Sequence, residues 1–207
     1  FYIIDQSSGV QEGINVFNFN DVSNYVVNEG DSIIVRGSIA QFNGLTEIVP
    51  DSISIISTGA PIPAPISVSS LDETTEARYL SLSTDFWALD STSAGGTFSE
   101  NIDLTNGTDT ITMRIDSDTD ILDSLNASLA GRLNIDDTIC FAVGIGGQFD
   151  NSAPRTEGYQ ILPMRWSDIT ICRLAVGIDA VEVDKAQFSL VPNPTNGVFE
   201  IRTTGFN

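Results

Sequence analysis

The densest group of carboxylates in the sequence is the run at 116–120, Asp-Ser-Asp-Thr-Asp. Alternate acidic residues can present oxygens to one divalent cation, as the first half of an EF-hand loop does. The sixth position of that loop is Ile121 here instead of glycine, and Ala127 stands where the closing glutamate belongs. The run is therefore not an EF-hand, and a turn leading into a short capped helix over 119–129 explains the same residues. The alternative is a Ca²⁺ ion held by Asp116, Asp118 and Asp120.

The sequence contains no histidine. Serine–histidine and cysteine–histidine catalysis therefore cannot be built from these residues, and the commonest zinc ligand is missing as well. Carboxylates could still catalyse a reaction, but no spacing singles out a pair. We predict no catalytic residue in this chain, and Ca²⁺ is the one cofactor that its residues suggest.

Charge limits the kinds of partner. The chain has 28 acidic and 9 basic residues, a net charge of −19. Such a surface repels phosphate backbones over a Debye length of about 8–10 Å, and non-specific nucleic-acid binding needs the lysines and arginines that are scarce here. This acidity is typical of a solvated extracellular surface. No apolar stretch is long enough for a membrane-spanning helix.

The elements that would position any site come from an internal repeat. Window 31–43 and window 137–150 share Asp, Ser/Thr and Ile, then Gly, then Gln-Phe, with one residue fewer in the first. Further matches follow downstream: 47–50 with 160–163, and 52–56 with 168–172. Each copy predicts strand, glycine bend, turn, strand, turn, strand. Gly37 and Gly144 suit a strand that bends sharply at a barrel corner.

These segments carry a resemblance to a known fold family. Residues 29–37 (Glu-Gly-Asp-Ser-Ile-Ile-Val-Arg-Gly) and 41–44 (Gln-Phe-Asn-Gly), with the strands before them, resemble OB-fold domains of secreted bacterial proteins. The resemblance implies an all-β chain of two consecutive OB-like five-stranded barrels, over residues 1–70 and 71–175. It leaves open that the first barrel lacks its opening strand.

The resemblance also bears on what lies before Phe1. The sequence opens in what reads as the middle of a strand, so we expect that residues precede it. OB domains of this kind resemble those that accompany secreted nucleases and phosphatases. That likeness implies a catalytic domain upstream.

The end of the chain carries a second resemblance. After an acidic linker at 176–187, residues 188–207 predict two strands around a Pro-Asn-Pro turn and an Asn-Gly turn. An ordinary turn is the simpler interpretation, but 190–201 closely resembles the opening of the C-terminal sorting domain of type IX secretion cargo in Bacteroidota. This implies a partial β-sandwich segment, the type IX machinery as partner, and a secreted or outer-surface location after transit through the periplasm. The motif residues are Pro192, Asn193, Pro194 and Gly197.

The two cysteines become interpretable with the repeat and this export route. Cys140 and Cys172 stand at the repeat positions of Ile34 and Ile56. Those positions are expected to face inward or to neighbour each other on adjacent strands, and disulfides can form in the periplasm. We predict a Cys140–Cys172 disulfide. Two small buried hydrophobic residues are the alternative.

Two kinds of surface site are also suggested. Asp-Ser/Thr followed by an aliphatic residue or Thr resembles the O-glycosylation acceptor of exported Bacteroidota proteins. The alternative is that this tripeptide is how these strands begin. The candidates are Ser91, expected in an exposed loop, then Ser52 and Ser124.

OB-folds bind oligonucleotides or sugars with aromatic residues on one face. The candidates for such a face, which could equally be core, are Arg36, Phe42, Phe149 and Trp166.

Three functions follow from these expectations. The first is a non-catalytic, exported accessory or binding module of tandem OB-like domains, with an oligonucleotide or a glycan as ligand. The second is the nucleic-acid-binding region of a secreted nuclease or phosphatase. The third is a calcium-stabilised, adhesin-like surface protein.

Overall fold

A computed structural model of the chain describes residues 1–93, 99–117, 119–121, 138–172, 187–191 and 200–204. These residues form strands joined by turns, two single turns of 3₁₀ helix and a helical residue pair at 120–121, which confirms the all-β prediction. Contacts group the chain into two compact units, 1–173 and 174–207. Within the described residues, no helix is long and apolar enough to cross a membrane.

The first sheet of the larger unit has four strands. They are β1 (Tyr2–Asp5), β2 (Glu12–Val16), β3 (Ser32–Phe42) and β4 (Leu45–Ser57), in the spatial order β1-β2-β4-β3. β2 and β4 are parallel, and the other two pairs are antiparallel. The β3–β4 hairpin turns at Asn43 and Gly44, whose φ angles of 48° and 96° suit the two-residue turn that matches strand twist.

The second sheet has eight strands. They are β5 (Ile66–Val68), β6 (Tyr79–Leu82), β7 (Phe86–Ser93), β8 (Glu100–Thr105), β9 (Thr110–Ile115), β10 (Thr138–Gln148), β11 (Tyr159–Leu162) and β12 (Ile169–Cys172). Five of them pair in a ring, in the order β7-β8-β9-β11-β10 and back to β7. Only the β9–β11 pair in this ring is parallel. β6 and β12 pair with β10, and β5 pairs with β6.

The hydrophobic core lies inside this ring. β8 alternates buried and half-buried side chains along its whole length, so every second residue points inward. The large core residues with no exposed surface include Phe86, Ile102, Leu104, Met113, Ile115, Ile121 and Ile161. Each stabilises the fold by roughly 1.5–3 kcal/mol through burial of its side chain.

The two copies of the sequence repeat occupy corresponding places in the two sheets. The order β1-β2-β4-β3 matches β8-β9-β11-β10, and Asn15 faces Glu47 in one sheet as Thr112 faces Gln160 in the other. The extra residue of the second copy is Cys140, which bulges from β10 between Ile139 and Phe141. A β-bulge inserts one residue into one strand of a pair. The one-residue difference between the windows thus has a structural cause.

The repeat glycines allow a close approach of two strands. A Cβ atom at Gly37 would collide with the backbone oxygen of Val49, and one at Gly144 would lie 2.5 Å from that of Leu162. Val49 and Leu162 are themselves matching repeat positions. Only glycine fits where the bent strand passes this close to its neighbour.

One strand lies on one side of the predicted domain boundary in sequence and on the other side in its pairing. Strand β5 lies within the range 1–70 in sequence but pairs with β6 of the second sheet. The boundary at residue 70 stays a prediction. In the smaller unit, β13 (Gln187–Val191) and β14 (Glu200–Thr204) form an antiparallel hairpin. The motif residues between them lie outside the described residues: Pro192, Asn193, Pro194 and Gly197.

Candidate ligand-binding surface

Two phenylalanines at equivalent repeat positions meet on the surface. Phe42 is the last residue of β3, and Phe149 directly follows β10. Their ring centroids lie 6.2 Å apart in an edge-to-face arrangement. The residues remain 57% and 51% exposed. Aromatic pairs in this geometry attract each other, yet these rings keep large faces free for a ligand.

Hydrogen bonds join the segments that carry the two rings. The backbone N–H of Asp150 donates to the carbonyl oxygen of Asn43 at 2.6 Å. Arg155 Nη1 donates to Gln41 Oε1 at 3.3 Å. The β3–β4 turn and the loop after β10 are therefore held side by side.

The loop after β10 is organised by two polar side chains. Gln148 is buried, and its Nε2 donates to the carbonyl oxygens of Arg155 and Glu157, each at 3.0 Å. Asp150 Oδ1 accepts bonds from the hydroxyl and the backbone N–H of Ser152, at 2.6 and 2.9 Å. These bonds hold the pKa of the Asp150 carboxyl below its usual value. An ordered loop fixes Phe149 before any ligand arrives.

The neighbourhood is rich in acceptors. Tyr159 OH donates to Glu73 Oε2 at 3.0 Å. Loss of hydration, and then the bond to that carboxylate, raises the pKa of Tyr159 to about 12. The phenol therefore keeps its proton. Exposed aromatic faces beside carboxylates and amides suit a neutral ligand that carries hydroxyl groups better than a polyanion.

The other two residues predicted for a ligand face lie elsewhere. Arg36 is exposed on β3, six residues before Phe42 and on the other side of the bend at Gly37. Trp166 is half-buried in the single 3₁₀ turn Trp166–Asp168 and packs against the core of the second sheet. The structure brings together Phe42 and Phe149 but not these two side chains.

The predicted disulfide is confirmed. Cys140 and Cys172 are bonded, with Cα atoms 5.7 Å apart. They link the neighbouring strands β10 and β12, and the alternative of two buried hydrophobic residues is wrong. Cys140 is half-buried and Cys172 is exposed, so neither position faces inward. Because Cys140 is the bulged residue, Ile34 corresponds by register to Phe141, and its expected match to Cys140 was wrong.

The carboxylate run is described in part. Asp116 Oδ1 accepts bonds from Ser99 Oγ and its neighbour's backbone, each at 3.0 Å, and forms an ion pair with Arg114 at 3.7 Å. Asp120 Oδ1 accepts from the backbone N–H of Trp166 at 2.8 Å. Asp118 lies outside the described residues, among which no acidic, cysteine or histidine cluster suits a metal. Residues 120 and 121 are helical, and the rest of the predicted helix is not described. Calcium binding stays a prediction.

The serines predicted as glycosylation sites differ in placement. Ser52 is half-buried on β4 opposite Arg36. Ser91 lies within β7, paired with Ile102, and not in a loop as expected. Ser124 lies outside the described residues. Modification of these serines stays a prediction.

A polar row that the sequence did not reveal crosses the first sheet, with Glu47 buried and the other two residues half-buried. Tyr2, Asn15 and Glu47 are neighbours in register on β1, β2 and β4. Burial raises the pKa of Tyr2 to about 12 and also raises the pKa of Glu47. Both shifts favour the neutral forms of these groups, and we assign this row a structural role.

Sequence reasoning also missed the polar residues that order the aromatic surface. Gln41 and Gln148 precede the two phenylalanines at matching repeat positions, and this match could have pointed to them. Arg155 stands in a loop that the repeat does not include, so no sequence signal marks it.

Comparison with models of protein families finds none that matches this chain, and comparison with curated proteins finds no match either.

Proposed function

We propose that this chain is a non-catalytic, exported binding module built on OB-like barrels. The support for the fold is the strand order β7-β8-β9-β11-β10, which numbers as 1-2-3-5-4 with strands 3 and 5 parallel. A five-stranded Greek-key barrel of the OB type has this order. The four strands of the first sheet follow the same scheme from strand 2 onward.

Its ligand is a neutral oligosaccharide, held at the surface defined by Phe42 and Phe149. The observation that carries this proposal is the exposed pair of rings from equivalent repeat positions. In OB-folds, the loop between strands 4 and 5 takes part in binding oligonucleotides and oligosaccharides. In the numbering above, both the β3–β4 turn and the loop after β10 are that loop.

Charge favours a sugar over a nucleic acid. The net charge is −19. Asp150 directly follows Phe149, Glu157 lies with Arg155 in the same loop, and Glu73 binds Tyr159 at the start of the next strand. Phosphates would be repelled by such a surface unless cations neutralised them. A pyranose ring presents an apolar face that can lie on an aromatic side chain. Its hydroxyl groups can donate hydrogen bonds to carboxylate and amide oxygens.

The export route that we propose is type IX secretion. Its support is the resemblance of segment 190–201 to the sorting domain of such cargo. The disulfide is compatible with this route, because disulfides persist in oxidising compartments outside the cytosol.

The test is binding to a printed array of neutral and acidic oligosaccharides, with single-stranded dT₁₅ at 50 mM salt as a second probe. We expect neutral glycans to be retained, and Phe42→Ala/Phe149→Ala to lower their signal at least tenfold. Phe19→Ala is the matched control, because Phe19 is 91% exposed and packs with Phe17 instead. Binding of dT₁₅ in preference to glycans, or glycan binding that survives the double substitution, would contradict the proposal.

A further inference from the structure

Two strands of the first sheet have free edges where their counterparts do not. Among the described residues, β1 pairs with β2 alone and β3 pairs with β4 alone. In the second sheet, the matching strands β8 and β10 both pair with β7. The first sheet therefore has a gap at the place that β7 fills in the ring.

One cavity of about 1540 Å³ touches both of these edges. Its lining includes every residue of β1 and the beginning of β3. Four of its apolar lining residues, Phe1, Ile3, Ile14 and Ile33, have counterparts in the core of the ring. By register, their counterparts in the ring are Ile102, Leu104, Ile111 and Ile139.

Apolar residues beside the gap are more exposed than their counterparts in the ring. Phe1 is 37% exposed, whereas its counterpart Ile102 is 0% exposed. Ile3, Ile14 and Ile33 are half-buried, and their counterparts are at most 5% exposed. In the ring, Phe86 and Ala88 of β7 cover these positions and are themselves buried. Uncovered apolar surface beside an unpaired strand edge is a site for strand addition.

We propose that the gap between β1 and β3 binds one further β-strand, antiparallel to both, whose alternate residues are apolar as Phe86 and Ala88 are in β7. In the ring, β7 directly precedes β8, and β8 is the counterpart of β1. A strand attached in front of β1 would therefore copy the connection found in the ring. Its alternate apolar side chains enter the cavity, and its backbone pairs with the free N–H and C=O groups of β3. This inference does not rest on the ligand proposed above.

The register of the repeat gives a direct test. Phe1 is the counterpart of Ile102, so residues 84–101 of this chain, placed before Phe1, supply β7, the residues that join it to β8, and the first two residues of β8 in register. The control carries the same extension with Phe86→Asp and Ala88→Asp in the added copy. The measurement is amide exchange by mass spectrometry in segment 32–37.

In the chain without an extension, we expect amides of 32–37 to exchange faster than those of 138–144. The apolar extension should slow exchange in 32–37 at least tenfold, and the control extension should not. Equal protection of the two segments in the unextended chain would overturn the proposal. So would equal exchange with the two extensions, or protection that appears only with a doubled molecular mass, because a second copy would then supply the strand.

Discussion

The rings of Phe42 and Phe149 stand at equivalent positions of the two repeat copies and pack edge to face, with centroids 6.2 Å apart. Each ring closes a Gln-Phe pair at the end of the long bent strand of its sheet. The two copies therefore meet at the same point of their sequence. The backbone bond from Asp150 to Asn43 fixes that meeting point at 2.6 Å.

This contact predicts an energetic coupling between the rings. Phe42→Ala and Phe149→Ala should each lower the free energy of unfolding, and the double variant should lose less than the sum by about 0.5–1.5 kcal/mol, as for other aromatic pairs. Urea unfolding of the four proteins in the cycle measures this coupling. Additive losses would mean that the two rings do not interact in solution.

The disulfide between β10 and β12 should contribute strongly to stability. It closes a loop with a sequence separation of 32 residues. A cross-link of this size stabilises a fold by roughly 3–4 kcal/mol, because it restricts the unfolded chain. Reduction should therefore lower the urea midpoint, and Cys140→Ala/Cys172→Ala should show the lowered midpoint without reductant.

Two controls belong with this prediction. Reductant should leave the double alanine variant unchanged, and the mass of the wild type under non-reducing conditions should be 2 Da below that of the dithiol chain. A midpoint that reductant does not move in the wild type would contradict the stabilising role.

The partly buried carboxyl of Glu76 should make the free energy of unfolding depend on pH. Its Oε1 accepts the backbone N–H of Thr46 at 3.1 Å, while its Oε2 is buried and has no hydrogen-bond partner among the described residues. Burial raises the pKa of this carboxyl above its ordinary value of 4.5. The folded state thus holds this proton more tightly than the unfolded state, so this group's contribution to stability falls as pH rises from the ordinary pKa through the raised one.

Replacing that carboxyl by an amide should remove the cost. Glu76→Gln should raise the free energy of unfolding at pH 7 by about 1 kcal/mol. The gain should vanish below about pH 4, where the carboxyl is neutral in both states. Thermal unfolding from pH 3.5 to 7.5 is the measurement. Exposed Glu12→Gln controls for the change in net charge, and an equal gain in that variant would refute a local origin.

A side chain at position 144 would clash with the backbone of the neighbouring strand. Gly144→Ala would place a Cβ atom 2.5 Å from the carbonyl oxygen of Leu162, and neither strand can move without disturbing the ring. We expect a loss of roughly 1–3 kcal/mol, the usual cost of overpacking. Ser38→Ala, at an exposed position of β3, is the control. Wild-type stability of Gly144→Ala in urea would show that the strands do not approach this closely.

Several features of the fold could be predicted from local sequence. The repeat indicated where strands bend, because glycine is required at Gly37 and Gly144, and it placed the two cysteines on neighbouring strands. The one-residue difference between the windows marked the bulge at Cys140. Each of these signals depends on backbone geometry close to the residue itself.

Other features depend on contacts between distant segments and could not be predicted. Whether an aromatic residue is core or surface depends on its neighbours in space, so Trp166 and Phe149 looked alike in sequence although one packs on the core and the other is 51% exposed. The bond from Arg155 to Gln41 spans 114 residues and no motif marks it.

The central claim is that the two phenylalanines form one binding surface, and it is tested most directly by nuclear magnetic resonance. Aromatic ¹³C–¹H signals of Phe42, Phe149 and Phe19 would be followed during titration with the neutral oligosaccharide that gives the strongest array signal. We predict that Phe42 and Phe149 shift together along one binding curve while Phe19 stays unchanged. Shifts confined to other residues, with both rings unperturbed at saturation, would contradict the account.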